Sequence, residues 1–154
     1  MNVDAIRKAA LRLVHKYKTR DPFLICEKLN IAVLHEPLPD NIRGIYSRVL
    51  RRPYITINCR IDAYWQRFIC AHELGHHRLK HPLNGMHHID RDIFRIDKYE
   101  FQANLFAALL LFEEKYGFCL TDSSWFRDLL HEATKYKDSR RLAHFVFETM
   151  EEYI

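Results

Sequence analysis

Apolar and polar positions change period several times along the chain, and each change marks an element. Residues 2–18 place Val3, Ile6, Ala10, Leu13, Val14 and Tyr17 on one stripe at helical spacing, which predicts an amphipathic helix. Asp21-Pro22 follows, a capping side chain and then a proline at the first helical position, opening a short helix through Leu29. The pattern then turns β-rich. Ile31–His35 is a brief apolar run, and Glu36–Asn41 carries two prolines and reads as loop. Gly44–Leu50 and Tyr54–Asn58 read as strands joined at Arg51-Arg52-Pro53, an antiparallel hairpin.

Helical spacing returns from Ile61 to about Lys80, where Ile61, Trp65, Phe68, Ile69, His72, His76 and Leu79 recur with no proline before Pro82. Residues 82–96 break the pattern and predict a loop. From Lys98 to about Tyr116, Phe101, Leu105, Ala108 and Phe112 form one stripe with Ala103, Ala107 and Leu110 beside it. Two further helices are expected beyond it, one capped by Thr121 or Asp122 and one by Asp138. The expected fold class is α+β: a small antiparallel or mixed sheet of about three strands packed with helices, in a single domain over residues 1–154.

Composition narrows this. A chain of 154 residues, 48% hydrophobic and 29% charged with 4 Gly and 5 Pro, can bury a core and is neither disordered nor collagenous. Cys26, Cys59, Cys70 and Cys119 lie far apart with no CxxC pair, against a disulfide framework or a cysteine-rich zinc module. The N-terminus mixes charge with apolar residues, unlike a signal peptide, and the longest apolar run, Leu105 to Phe112, falls well short of the ~20 residues that span a bilayer. These features predict a soluble protein of a reducing, cytoplasmic compartment with no membrane partner. The net charge of +4 is uneven: residues 1–60 hold 12 Lys/Arg against 5 Asp/Glu. The basic residues are scattered and no aromatic-basic motif accompanies them, so they read as a solvated face in preference to a nucleic-acid surface.

The histidines change the picture more. Six of the ten fall between His72 and His88, and His72-Glu73-Leu74-Gly75-His76 is an HExxH sequence inside a proline-free helical pattern. Residues four apart on a helix are neighbours one turn apart, so two imidazoles can meet one zinc ion while the glutamate between them reaches a water at that ion. Gly75 weakens the helix by up to ~1 kcal/mol, a loss accounted for if a neighbouring backbone must approach there.

A catalytic zinc needs a third protein ligand. A histidine six residues beyond the motif is excluded, because Leu79 and Pro82 occupy the positions that the HExxHxxGxxH variant requires. His81 lies at the helix end, and His87, His88, Asp90, Asp92 and Asp97 lie in or beside the following loop; all stay open as ligands. The strongest candidate is Glu100, expected in the first turn of the next helix, where its i+4 neighbour is Asn104. Two polar residues in a helix of Phe, Leu and Ala are expected to face the metal helix, with Asn104 holding a ligand imidazole in orientation. Cys70, two residues before His72, points off the ligand face and reads as core.

The HELGH sequence followed by Glu100-Phe-Gln-Ala-Asn-Leu-Phe-Ala-Ala-Leu-Leu-Leu111 resembles the ImmA/IrrE family of metallopeptidases, whose pattern is HExGH…ExxANxFAxxLLxP. The hairpin Gly44–Asn58 fits as well, since that family carries a G-x-Y/I strand and an I-x-I-N strand ahead of the metal helix. The resemblance spans roughly residues 5–115, with Phe112 standing where the family often has proline. It implies that His72, His76 and Glu100 hold one zinc ion and that Glu73 is the catalytic base. It implies also a protein substrate, a helix-turn-helix repressor of the kind encoded beside such proteins on phages and integrative elements. The expected mechanism is hydrolysis by an activated water, with Glu73 moving its proton to the leaving nitrogen. Tyr46, His87, His88 and Tyr99 are candidates for the donor to the carbonyl oxygen. Two readings of the hairpin edge stay open: the substrate lies extended along it, or it is an ordinary edge strand blunted by Arg48, Arg51 and Arg52. The rival expectation is a regulatory or toxin-like module that keeps the metal site and acts by binding a repressor or DNA; the intact Glu73 favours the enzyme.

Overall fold

The computed structural model describes residues 3–82 and 93–112. Its elements run α1 (Val3–Tyr17), α2 (Pro22–Lys28), β1 (Ala32–Glu36), β2 (Gly44–Val49), β3 (Arg52–Asn58), α3 (Ala63–Arg78) and α4 (Ile93–Phe112). The fold is α+β. The two helices expected after Tyr116 and most of the loop before α4 lie outside the described residues.

Local chemistry accounts for the helix boundaries. Asp21 caps α2 by accepting from the Phe23 N–H at 3.0 Å, with Pro22 directly after it. Asp62 caps α3 in the same manner, accepting from the Trp65 N–H at 2.9 Å. On α1 the expected stripe is buried at Ile6, Ala10, Leu13 and Val14, while Val3 and Tyr17 pack on its margin. The Arg20 guanidinium donates to the carbonyls of Leu109 and Leu110, tying the segment between α1 and α2 to α4.

The sheet order is β1-β3-β2, with β1 parallel and β2 antiparallel to β3. Chain therefore has to pass from β1 to the far edge of the sheet before β2 begins. Buried Asn58 holds that crossing: its side-chain amide donates to the carbonyls of Leu38, Pro39 and Ile42, and its oxygen accepts from the Arg60 N–H.

The hairpin differs from expectation at its turn. Its two-residue loop is Leu50-Arg51, both in the left-handed region (φ 48° and 68°), and β3 begins at Arg52. Pro53 is tolerated inside this central strand because β1 pairs with β3 only from Tyr54 onward.

Helix α3 lies between the sheet on one side and α4 on the other, and α1 packs against the outer face of α4. The two glycines that permit this sit on opposite sides of α3. At Gly75 an added methyl would stand 3.1 Å from Phe106 Cδ1 and 3.2 Å from Ala103 Cα, so α4 backbone approaches where the side chain is missing. At Gly44 an added methyl would overlap Ile69 Cγ2 and stand 3.3 Å from Glu73 Oε1.

The approach at Gly75 is testable. Gly75→Ala gains up to ~1 kcal/mol of helix propensity but presses on Ala103 backbone, and overpacking of that kind costs about 1–3 kcal/mol. The expected net result is a lower midpoint in urea denaturation. A midpoint at or above that of the parent chain would show that α4 yields without cost.

Candidate metal centre

The two faces of α3 carry different residues. Ile69, Glu73 and His77, spaced four apart, face β2, where Ile69 and Glu73 meet Gly44 and His77 meets Tyr46. His72, Gly75 and His76 face α4. Helix α4 presents Glu100 and Asn104, one turn apart, to that second face.

Glu100 is placed differently from expectation. Helix α4 begins at Ile93, so residues 93–96 are helical and Glu100 sits two turns inside, away from the N-terminal dipole. An incidental charge at a helix start therefore does not explain this carboxylate. It is largely buried, and its oxygens lie 3.2 Å from His72 Nε2 and 3.2 Å from His76 Nε2. The two Nε2 atoms are 3.1 Å apart, and the three ligand atoms fall within 4.8 Å of one another.

The chemistry of this donor set fits a metal. Asn104 Oδ1 lies 2.7 Å from His72 Nδ1, and an oxygen can only accept, so His72 carries hydrogen on Nδ1 and turns Nε2 inward. Two inward nitrogens and a carboxylate are all acceptors, stable together only around a cation or a proton. Three ligand atoms bound to one zinc at ~2.0–2.1 Å in a tetrahedral arrangement stand about 3.3 Å apart, close to the spacings found here. His72, His76 and Glu100 are thus a cluster compatible with a metal site.

Without metal, protons take over that role. Burial opposes charging His72, but the Glu100 carboxylate bonded to it, with Glu73 nearby, outweighs burial and raises its pKa to about 9. Burial likewise opposes ionising Glu100, yet its bonds to His72 and His76 hold its carboxyl well below the usual carboxylate range.

Other sequence candidates fall elsewhere. His81 is not in the cluster: its Nδ1 lies 2.9 Å from His76 Nδ1 and its Nε2 lies 3.0 Å from Gln102 Oε1. Burial and then the neighbouring His76 lower its pKa to about 4. Tyr46, considered as an oxyanion donor, is buried, with its hydroxyl accepting from Arg48 Nε at 2.9 Å and lying 2.7 Å from His77 Nδ1. Tyr99 packs its ring on His81, centroids 4.7 Å apart. His87, His88, Asp90 and Asp92 lie outside the described residues, and Asp97 falls on the backbone of α4. Cys70 is core, with its sulfur 3.9 Å from Cys26 Sγ. Sequence reasoning missed Asn58, Gln102 and the turn that returns His81 to His76. Asn58 closes the I-x-I-N strand, a signal that could have drawn attention to it.

With the α+β fold and a cluster compatible with a metal in place, comparison with known proteins identifies the family. Residues 26–117 match the peptidase family described as the IrrE N-terminal-like domain, and the chain belongs to that family. It is 40% identical over 106 residues to an uncharacterized immunity region protein 2 of Bacillus phage phi105, a match covering 69% of this chain and 67% of the relative. It is 27% identical over 110 residues to the metallopeptidase ImmA of Bacillus subtilis (strain 168), covering 71% of this chain and 64% of that one. The chain thus spans about two thirds of the length of these relatives. No solved structure gives a significant match. Among the described residues, no helix is long and apolar enough to cross a membrane.

Three shifted histidines set a pH profile for the metal-free chain, and His77, lowered by burial and then by Arg48 and Arg78, acts in the same direction as His81. His72, raised from 6.5 to about 9, contributes stability that is complete below pH 6.5 and lost as pH rises through 9. His81, lowered from 6.5 to about 4, contributes stability present above pH 6.5 and lost as pH falls toward 4. Glu100, lowered from 4.5, adds a further loss below that pH. Thermal midpoints in chelator should therefore peak near pH 6.5. His72→Gln should remove the alkaline decline; a decline that persists in that variant contradicts the assignment.

Proposed function

We propose that this chain is a zinc-dependent endopeptidase that cleaves a protein partner, with His72, His76 and Glu100 holding one zinc ion. The observation that carries the reading is the convergence of two imidazole nitrogens and one buried carboxylate beside an HExxH glutamate. Zinc, where bound, supplies Lewis acidity toward a peptide carbonyl and a water. A d¹⁰ ion with imidazole and carboxylate ligands suits a site that leaves a position for substrate.

The chain's own residues supply the rest. Glu73 takes a proton from the attacking water and delivers it to the departing amine nitrogen. Its carboxylate stands against Gly44 at the start of β2, so base and sheet edge are adjacent. Asn104 keeps the His72 ring turned toward the centre.

Substrate is positioned by β2. Asn58 N–H donates to the Arg43 carbonyl, and alternation along the ladder then directs Ile45, Ser47 and Val49 toward β3 and the backbone of Gly44, Tyr46 and Arg48 outward. Among the described residues no strand pairs with that outer edge. An extended substrate segment can add there, main chain to main chain. The substrate we favour is a helix-turn-helix repressor of a mobile element, in a cytoplasmic setting. The phage relative's name, an immunity region protein, supports that context.

Two substitutions test the reading. Glu73→Gln should keep one zinc per chain and lower cleavage of a co-expressed neighbouring repressor by about 10²–10⁴-fold, the range for loss of a general base. Undiminished cleavage would overturn the assignment of Glu73, and full biological activity without cleavage would favour a binding module instead. Glu100→Ala should lower zinc stoichiometry measured by atomic absorption at equal protein concentration. An unchanged stoichiometry would assign the third ligand to another residue.

A further inference from the structure

The end of α3 folds back on itself. Lys80 takes a left-handed conformation (φ 55°), the His81 N–H bonds to the His76 carbonyl at 3.1 Å, and the Lys80 N–H bonds to the His77 carbonyl at 3.4 Å. This is a Schellman turn, normally built on glycine at the left-handed position. Its effect is to carry His81 beneath His76, where both rings are buried and their Nδ1 atoms lie 2.9 Å apart.

Two nitrogens at that distance share one hydrogen, and Gln102 decides which ring owns it. Gln102 is buried on α4, and its Oε1 lies 3.0 Å from His81 Nε2. Oxygen accepts only, so His81 carries hydrogen on Nε2. A neutral His81 ring then has a bare Nδ1, which accepts from His76 Nδ1–H. In the neutral His76 ring that a metal requires, this leaves the lone pair on Nε2, the atom that faces Glu100. Reversing any bond in this chain would put hydrogen on His76 Nε2 and exclude a metal there.

We propose that His81, anchored by Gln102, is a positioning residue that fixes the ring orientation and tautomer of His76 for metal binding. It is the counterpart of Asn104 on His72, so both imidazoles are set from behind and helix α4 supplies one ligand and two amide anchors within five residues, Glu100, Gln102 and Asn104. The inference rests on the metal-centre reading above.

The test uses the full chain and zinc alone. Zinc affinity is measured by competition with a chromophoric chelator at one pH for the parent, His81→Ala, Gln102→Leu and Gln102→Glu. Loss of such outer partners costs about 10- to 100-fold in metal affinity, which is expected for His81→Ala and Gln102→Leu. Gln102→Glu keeps an accepting oxygen and should recover most of the affinity, a rescue that mere repacking would not give. Imidazole ¹⁵N spectra of the zinc-loaded parent should show hydrogen on His76 Nδ1 and His81 Nε2. The opposite tautomer at His81, or parent-like affinity in both His81→Ala and Gln102→Leu, overturns the proposal while leaving the metal centre standing. A parent chain that takes up no zinc overturns both.

Discussion

Two imidazole nitrogens and a carboxylate cannot share a buried space unless positive charge stands between them. That constraint organises the chain around His72, His76 and Glu100, whose ligand atoms lie within 4.8 Å of one another. The protein meets it with protons when metal is absent, which is why the Glu100 carboxyl is held low and His72 is raised together. A group of acceptors that costs stability alone, and is satisfied by a cation, is the physical content of a metal site.

Close backbone approach makes the convergence attainable. Glu100 comes from a different helix, and its reach depends on how near α4 lies to α3. Gly75 opposite Ala103 sets that separation, and Gly44 on the other side lets β2 come up against Glu73. One helix thereby presents two faces: the α4 face carries His72 and His76 toward Glu100, and the β2 face carries Glu73 against Gly44, the arrangement on which the proposed function rests. Loss of either glycine affects more than local packing, because each one spaces chemistry from scaffold.

Much of this was legible in the residues. The period of α1, the Asp21-Pro22 cap, the hairpin and the HELGH helix all follow from local rules, since spacing and capping act over four residues or fewer. Legibility faded where non-local contacts decide. Apolar period does not by itself mark the start of α4 at Ile93, because Ile93, Phe94 and Ile96 are too short a run, so close to the stretch that breaks the pattern after Pro82, to signal a helix. The turn at Leu50-Arg51 uses left-handed residues that are not glycine, and so does the Schellman turn at Lys80; nothing in those side chains announces the conformation.

The sequence by itself determined which groups are available and their local order: two histidines one turn apart, a glutamate between them, and a polar pair in an apolar helix. Tertiary structure alone decided that Glu100 rather than His81 meets both Nε2 atoms, and that His81 instead stands behind His76. The reason is that hydrogen-bond direction and ring tautomer depend on what lies across an interface, and residues some twenty positions apart become neighbours only after α3 and α4 pack.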